Sequence, residues 1–424
     1  MIQTLRNAWK IEEIRRKILF TLLIILLYRL GNAVPVPYVN VDLLRSYFTS
    51  VQSTVLGLMN VMSGGAFSNA TIFALSIQPY INASIIIQLL CIAIPALERM
   101  SKDEGEEGRK KIASITRYST VAIGLLQGFG YYMLLKNNGL LVSEASGSVW
   151  AGIVIVLTFT SGSALIMWLG EQITEFGIGN GISMILFASI ISRLPTSVIR
   201  TITNIINGDL KWWVGVLMFL GAIALVVLIV FVSDAERRIP VQYSKRVVGR
   251  KMYGGQSTHL PMKVNMSGVM PIIFAQSIAA LPATIAALAG KTLKWFETDS
   301  ILYAVVYFLL IIFFAYFYST IQFNPVEVSN NLKKNGGYIP GFRPGKPTSE
   351  FISKVLNKIT LFGAIYLGIL ATVPILISHF SDADSLTGLS LGGTSIIIVV
   401  GVALETVRAL EAEMMMRNYK GFLD

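Results

Sequence analysis

Side chains equipped for covalent or metal chemistry are scarce in this chain. Its one cysteine, Cys91, has no partner for an internal disulfide, and with only His259 and His379 beside it there is no Cys/His set for zinc. No Gly-Lys-Ser/Thr phosphate loop, His-Glu-x-x-His pair or nucleophile motif occurs. Two other patterns stand out. Ile77 and Ile81 lie four residues apart, on one face of any helix that contains them. Branched aliphatics in such a row serve either as packed core or as a hydrophobic constriction that closes by excluding water, and composition alone leaves both open. The second pattern is basic: residues 234–263 and 324–358 carry seven and six Lys and Arg. Arginines beside fixed turns can be aimed at phosphate or carboxylate, so these segments suit a large acidic partner, RNA included, or anionic membrane lipid.

The elements that must position these residues follow from composition. Of 424 residues 54% are hydrophobic and 14% charged, where a soluble domain carries roughly 25% charge. That much apolar surface exceeds what water-soluble cores of this size can hide, so its place is lipid. Ten nearly uncharged runs approach the roughly 20 residues a membrane helix needs. They cover residues 18–36, 72–97, 112–135, 149–169, 178–191, 212–233, 266–289, 301–323, 359–380 and 391–404. The second run, with Gln78, Pro79 and Asn82 near its start, and the short, glycine-led fifth have a re-entrant segment as their alternative. The first follows Arg15, Arg16 and Lys17 like a secretory signal, but Arg29, Pro35 and Pro37 close it without a clear cleavage site, and it is read as retained.

Ten spans put both termini on one side. Twenty-six of the 35 Lys and Arg fall on that side and seven on the other, so the positive-inside rule makes the termini cytoplasmic. No carboxylate lies in the middle of a span: Glu171, Glu175 and Glu405 stand at the ends, and Arg117 is near enough to an end to snorkel. Ion-coupled carriers place charge near the bilayer centre, so the spans lack the parts of a pump, and an enzyme is not expected. Residues 62–74 are too polar and glycine-rich to span, yet too apolar for a free loop, and are expected to dock inside the protein. Within 234–263, Ile239, Val241 and Tyr243 alternate like a short strand.

Longer strings carry more specific information. MSGGA at 62–66 with IFAL at 72–75, PYINASIIIQLL at 79–90, WLGEQITE at 168–175 with GIGNGIS at 177–183, QSTHLPMKVN at 256–265, FNP at 323–325, PGFRPG at 340–345 and GGTS at 392–395 resemble the SecY family of protein-conducting channel subunits, in its bacterial form. The match runs in order through essentially the whole chain. The resemblance implies an all-α polytopic membrane protein of ten transmembrane helices. They form two inverted-repeat halves, 1–200 and 201–424, around a central pore with a lateral gate.

Residue by residue, the resemblance implies a pore ring of Ile77, Ile81, Ile182, Leu186, Ile273 and Ile398, with Leu186 in place of the usual isoleucine. It implies a plug formed by Met62, Ser63, Gly64, Gly65, Ala66, Phe67, Ser68, Asn69, Ala70, Thr71, Ile72, Phe73 and Ala74. The lateral gate would be lined around Gln88, Thr116 and Asn265. Arg250 and Arg343 resemble contact points for the ribosome and the SecA motor, within a basic surface of Arg238, Lys245, Arg246, Lys251 and Lys346. The expected function is gated passage of unfolded secretory chains across the cytoplasmic membrane, with apolar helices released sideways into lipid. The expected partners are the small subunits SecE and SecG, SecA, a translating ribosome, signal peptides and nascent chains, and anionic lipid, with no cofactor. A secondary transporter of a small solute is the alternative, and the missing midplane carboxylate separates the two.

Overall fold

The computed structural model describes residues 2–51, 54–102, 105–143, 147–208, 211–243, 246–248, 251–253, 257–266, 268–288, 300–380 and 387–420. Each of the ten apolar runs overlaps a helix. In chain order these are α2 (Glu12–Gly31), α5 (Gln78–Ala93), α7 (Gly105–Asn137), α8 (Val149–Phe176), α9 (Gly181–Ile191), α11 (Trp212–Asp234), α12 (Met270–Leu288), α13 (Ile301–Gln322), α15 (Lys346–Phe380) and α16 (Thr387–Lys420). Shorter helices precede or link them: α1 (Ile2–Lys10), α3 (Val41–Ser50), α4 (Val55–Met62), α6 (Pro95–Lys102), α10 (Leu194–Ile206) and α14 (Pro325–Lys334). Among the described residues five helical segments are long and apolar enough to cross a membrane, and α5 and α12 are shorter apolar helices.

Helix starts follow local chemistry. Ser148 accepts the Ala151 N–H ahead of α8, and Asn180 accepts the N–H groups of Ile182 and Ser183 ahead of α9. Asn324 does the same for α14, with Pro325 in its first turn, so the FNP string ends one helix and starts the next. The α8–α9 hairpin closes tightly because Gly181 lies against the Gly170 carbonyl, where any Cβ would collide.

The second span begins at Gln78, not Ile72. The backbone of residues 63–77 runs in turns and takes positive φ at Gly64, Gly65, Ala70 and Ser76, which no helix accommodates. That span also ends before residue 97, at Ala93, since Pro95 starts α6. The third and tenth helices outrun their apolar runs, to Gly105 and Lys420, because the flanking Glu, Lys, Arg and Met residues are good helix formers. The fifth run is a regular helix that turns at Ser192 and Arg193 into α10.

Two helical groups share one core. α2, α5, α7, α8 and α9 pack on one another, as do α11, α12, α13, α15 and α16, and α12 bridges to α4, α5 and α7. Alongside the helices stands a small sheet. β1 (Glu236–Tyr243) pairs antiparallel with β4 (Ser257–Lys263), Ile239 opposite Leu260, and with β5 (Gly337–Tyr338). The alternation of Ile239, Val241 and Tyr243 is therefore a strand. The sheet buries Ile239, Val241 and Met262 against Ile339 and against Ile352 and Leu356 of α15. The two basic segments are thus one folded body: Gln242 pairs with Tyr338, whose hydroxyl donates to Gln242 Oε1 at 2.9 Å.

Candidate pore and docking surface

Residues 62–74 are docked, as their composition demands. Met62 closes α4, and the segment after it folds on itself: the Ser63 hydroxyl accepts the Phe67 N–H, Asn60 Oδ1 accepts the Ser68 N–H at 3.0 Å, and Asn69 Nδ2 donates to the Gly65 carbonyl. Val36 N–H donates to Ala70 O at 2.8 Å and Ile72 N–H to Val34 O at 3.0 Å, which ties the segment to the end of the first span. Two aromatic rings anchor it. Phe67 stacks on Tyr131 of α7 with centroids 4.3 Å apart, and Phe73 on Tyr28 of α2 at 5.8 Å. Small residues form the part between α4 and Phe67: Gly64 and Gly65 lie against the guanidinium groups of Arg29 and Arg193.

The ring positions come from four helices. Ile81 is on α5 with Ile77 at its N-cap, Ile182 and Leu186 on α9, Ile273 on α12 and Ile398 on α16. Ile77, Ile81, Leu186, Ile273 and Ile398 are buried in one apolar cluster, and half-buried Ile182 packs against it. Leu58 and Met62 of α4, with Phe73, belong to the same cluster, so the docked segment shares one apolar core with those aliphatics. Helix α4 has no counterpart among the expected spans, because its eight residues are too few to register as one.

Of the gate positions, Gln88 on α5 and Thr116 on α7 lie on helices that pack together. Thr116 donates to the Ile112 carbonyl within its own helix. Gln88 Oε1 accepts from the Tyr318 hydroxyl of α13 at 2.9 Å, a bond between the two helical groups. Nothing local in the sequence links residues 230 positions apart. Asn265 stands apart, on the loop before α12, where it lines a small cleft with Ile229, Ser233, Tyr366, Leu367 and Glu405. Among the described residues no hydrogen bond joins Asn265 to Gln88 or Thr116.

The basic surface is built on the sheet and the loop after β5. Arg238 pairs with Glu236 at 2.7 Å on β1. Arg246 and Lys251 lie on a two-stranded hairpin, β2 (Arg246–Val248) and β3 (Lys251–Tyr253), while Lys245 and Arg250 fall outside the described residues. The PGFRPG loop is shaped by positive φ at Gly341 and Gly345 and pinned from inside. Thr348 Oγ1 donates to the Arg343 carbonyl, Ser329 Oγ to the Gly345 carbonyl, and Phe342 stacks on Phe351 at 4.2 Å. Arg343 itself is exposed, beside the exposed Lys346 at the start of α15. At the base of the sheet, burial holds the Lys263 ammonium below its usual pKa and nearby Arg408 adds to the effect, while Asp234 and Glu236 oppose it.

Two helical groups around one apolar core, with a segment seated on it, give this chain the fold of the protein-conducting channels. A solved protein-conducting channel shares this fold with a TM-score of 0.66 at 16% identity, over 94% of this chain and 92% of that one. Sec61 of the canine ribosome-channel complex from the endoplasmic reticulum does so at 0.64 and 15%, with the same coverage. The family follows from sequence. The SecY family model matches residues 71–407, and protein translocase subunit SecY of Streptomyces scabiei is 44% identical over 443 residues, covering all of both chains. The counterpart from Mycobacterium tuberculosis strain H37Rv is 42% identical over 446 residues, again full length. This chain belongs to the SecY family, and it is a multi-pass membrane protein.

Proposed function

We propose that this chain is the channel subunit through which unfolded secretory polypeptides cross the cytoplasmic membrane, and from which apolar helices leave sideways into lipid. The observation that carries the reading is the seating of residues 62–74, with α4, on the cluster that holds Ile77, Ile81, Ile182, Leu186, Ile273 and Ile398. The segment is the plug and the aliphatics are the gasket of a closed channel: a dry constriction refuses ions solvation, and flexible apolar side chains accommodate any passing residue without binding it. The chain makes and breaks no covalent bond and is not an enzyme.

Ten spans place both termini in the cytoplasm. The halves 1–200 and 201–424 part along a lateral gate where α5 and α7 face α12, at Gln88 and Thr116 with Asn265 at its cytoplasmic end. Force comes from partners docked on the basic body, a translating ribosome or the SecA motor, with Arg238, Lys245, Arg246, Arg250, Lys251, Arg343 and Lys346 as the contact surface. Relatives of the same fold support the ribosome: Sec61 is described in a ribosome-channel complex and yeast Ssh1 bound to the 80S ribosome. SecE and SecG complete the membrane complex. Signal peptides and nascent chains are its clients, and anionic lipid faces its basic side.

Depletion of the chain in cells tests the function. Uncleaved secretory precursors should accumulate in the cytoplasm within a few generations. Normal export together with a defect in uptake of one small solute would favour the secondary-transporter alternative instead.

A further inference from the structure

Helix α10 follows α9 after the turn at Ser192 and Arg193, with Pro195 in its first turn, and none of its residues is buried. At 100° per residue, Leu194, Val198, Ile199, Ile202, Ile205 and Ile206 fall within an arc of about 140°. Thr196, Ser197, Arg200, Thr201, Thr203 and Asn204 occupy the rest of the circle. Together α9 and α10, Gly181–Ile206, are long and apolar enough to cross a membrane, but α10 alone is divided in this way, and a helix so divided lies along a boundary between an apolar and an aqueous medium.

The neighbouring helix shows which boundary this is. Ile205 packs against Gly215 in the first turn of α11, so the apolar arc continues the surface of that helix. Residues 212–228 of α11 bury no side chain, and their mean hydropathy is the highest of the candidate spans. A surface of that composition is suited to lipid. Trp212 and Trp213, both exposed, open α11 directly after Lys211, and paired tryptophans beside a basic residue sit at headgroup level. Only residues 207–211 separate α10 from this pair in the sequence.

We infer that α10 is an interfacial helix. Its Leu194, Val198 and Ile202 face is sunk into the headgroup–acyl boundary of the phospholipid leaflet, and its Ser197 and Asn204 face meets water. The contact tethers the far end of the α9–α11 connection to the bilayer surface, beside the Arg193 side chain that lies against the docked segment. The lipid contact stands apart from the channel reading. Only its assignment to the leaflet opposite the termini rests on the topology proposed above.

The test uses the full chain with Cys91→Ala and one new cysteine, Ile202→Cys or Asn204→Cys, carrying an environment-sensitive fluorophore. The protein is reconstituted in phosphatidylethanolamine–phosphatidylglycerol vesicles with or without dibrominated acyl chains. The Ile202 label should be quenched several-fold by brominated lipid and shielded from iodide, and the Asn204 label should show the reverse. Val198→Cys repeats the apolar-face measurement should Ile202→Cys not insert. An apolar-face label open to iodide and untouched by brominated lipid places the helix in water and overturns the inference. A label shielded from both quenchers shows a protein cover and overturns it equally.

Discussion

The Tyr131 hydroxyl donates to the Phe67 carbonyl at 2.5 Å, and its ring lies face to face on the Phe67 ring, centroids 4.3 Å apart. One buried residue of α7 thus holds the proposed plug segment by both backbone and side chain. The small residues Ser63, Gly64, Gly65 and Ala66 suggest a stopper that leaves its seat cheaply. The aromatic anchors at Phe67 and Phe73 oppose that, so the closed state is held more firmly than glycine and serine alone would allow.

Truncating the anchor should therefore unseat the plug. Phe67→Ala removes a buried ring whose loss costs about 3 kcal/mol, roughly a 100-fold shift in the ratio of seated to unseated plug. Tyr131→Phe leaves the Phe67 carbonyl without its donor and costs about 1–3 kcal/mol. Planar-bilayer recording should show raised resting conductance in both, larger for Phe67→Ala, with export preserved. Deletion of residues 62–74 that leaves the bilayer as tight as the parent would remove the segment from sealing altogether.

At the gasket, Ile398→Asn or Ile81→Asn should wet the constriction, raise ion leakage and relax the demand for a strongly apolar signal sequence, because the closed state loses stability relative to the open one. If these residues serve only as core, an unpaired buried amide lowers protein yield instead. Leak at normal yield supports the gasket; low yield with a tight surviving protein contradicts it.

The Tyr318–Gln88 bond joins the two helical groups. Tyr318→Phe should ease their separation by about 1 kcal/mol, close to fivefold in the open fraction. Export of a precursor with a weakened signal sequence is the readout. It should improve, and unchanged or poorer export would show that the bond does not hold the gate.

Arg343 is exposed on a loop pinned from within, so reversing its charge should leave the fold intact while disrupting docking. Arg343→Glu should lower ribosome and motor binding at least tenfold, since a reversed charge in a desolvated contact costs several kcal/mol. Sedimentation with purified ribosomes measures the first, and stimulation of the motor's ATPase the second. Wild-type values in both assays would take Arg343 out of the interface.

Much of the helical framework is legible in the sequence, because a run of about 20 uncharged residues has one stable form in lipid. Its ends are less so. Polar helix formers carry α7 and α16 past their apolar runs, while positive φ at Ala70 and Ser76 delays α5 to Gln78. The docking of residues 62–74 follows from composition, and the Ile77/Ile81 pair from helical spacing. Ile182 and Leu186 share that spacing, Ile273 and Ile398 carry no local signal, and the ring as a set is implied by the resemblance alone. The strand at Ile239 and Val241 shows in its alternation, but its partners do not. Pro261 weakens β4 as a sequence signal, and β5 has only two residues, so the merging of two basic loops into one body depends on long-range pairing. Tyr131 and Tyr318 were invisible for the same reason: their partners lie 64 and 230 positions away.

The most direct measurement of the central claim is where a polypeptide touches this chain in transit. A photo-crosslinking residue placed in turn at Ile77, Ile81, Ile182, Leu186, Ile273 and Ile398, and at the exposed Phe231 and Leu220 of α11 as lipid-facing controls, reads this directly in membranes holding a secretory precursor stalled halfway. Crosslinks to the precursor from the six aliphatic positions and none from α11 are the predicted result. Crosslinks confined to α11, with the six positions silent while the precursor is engaged, would contradict it.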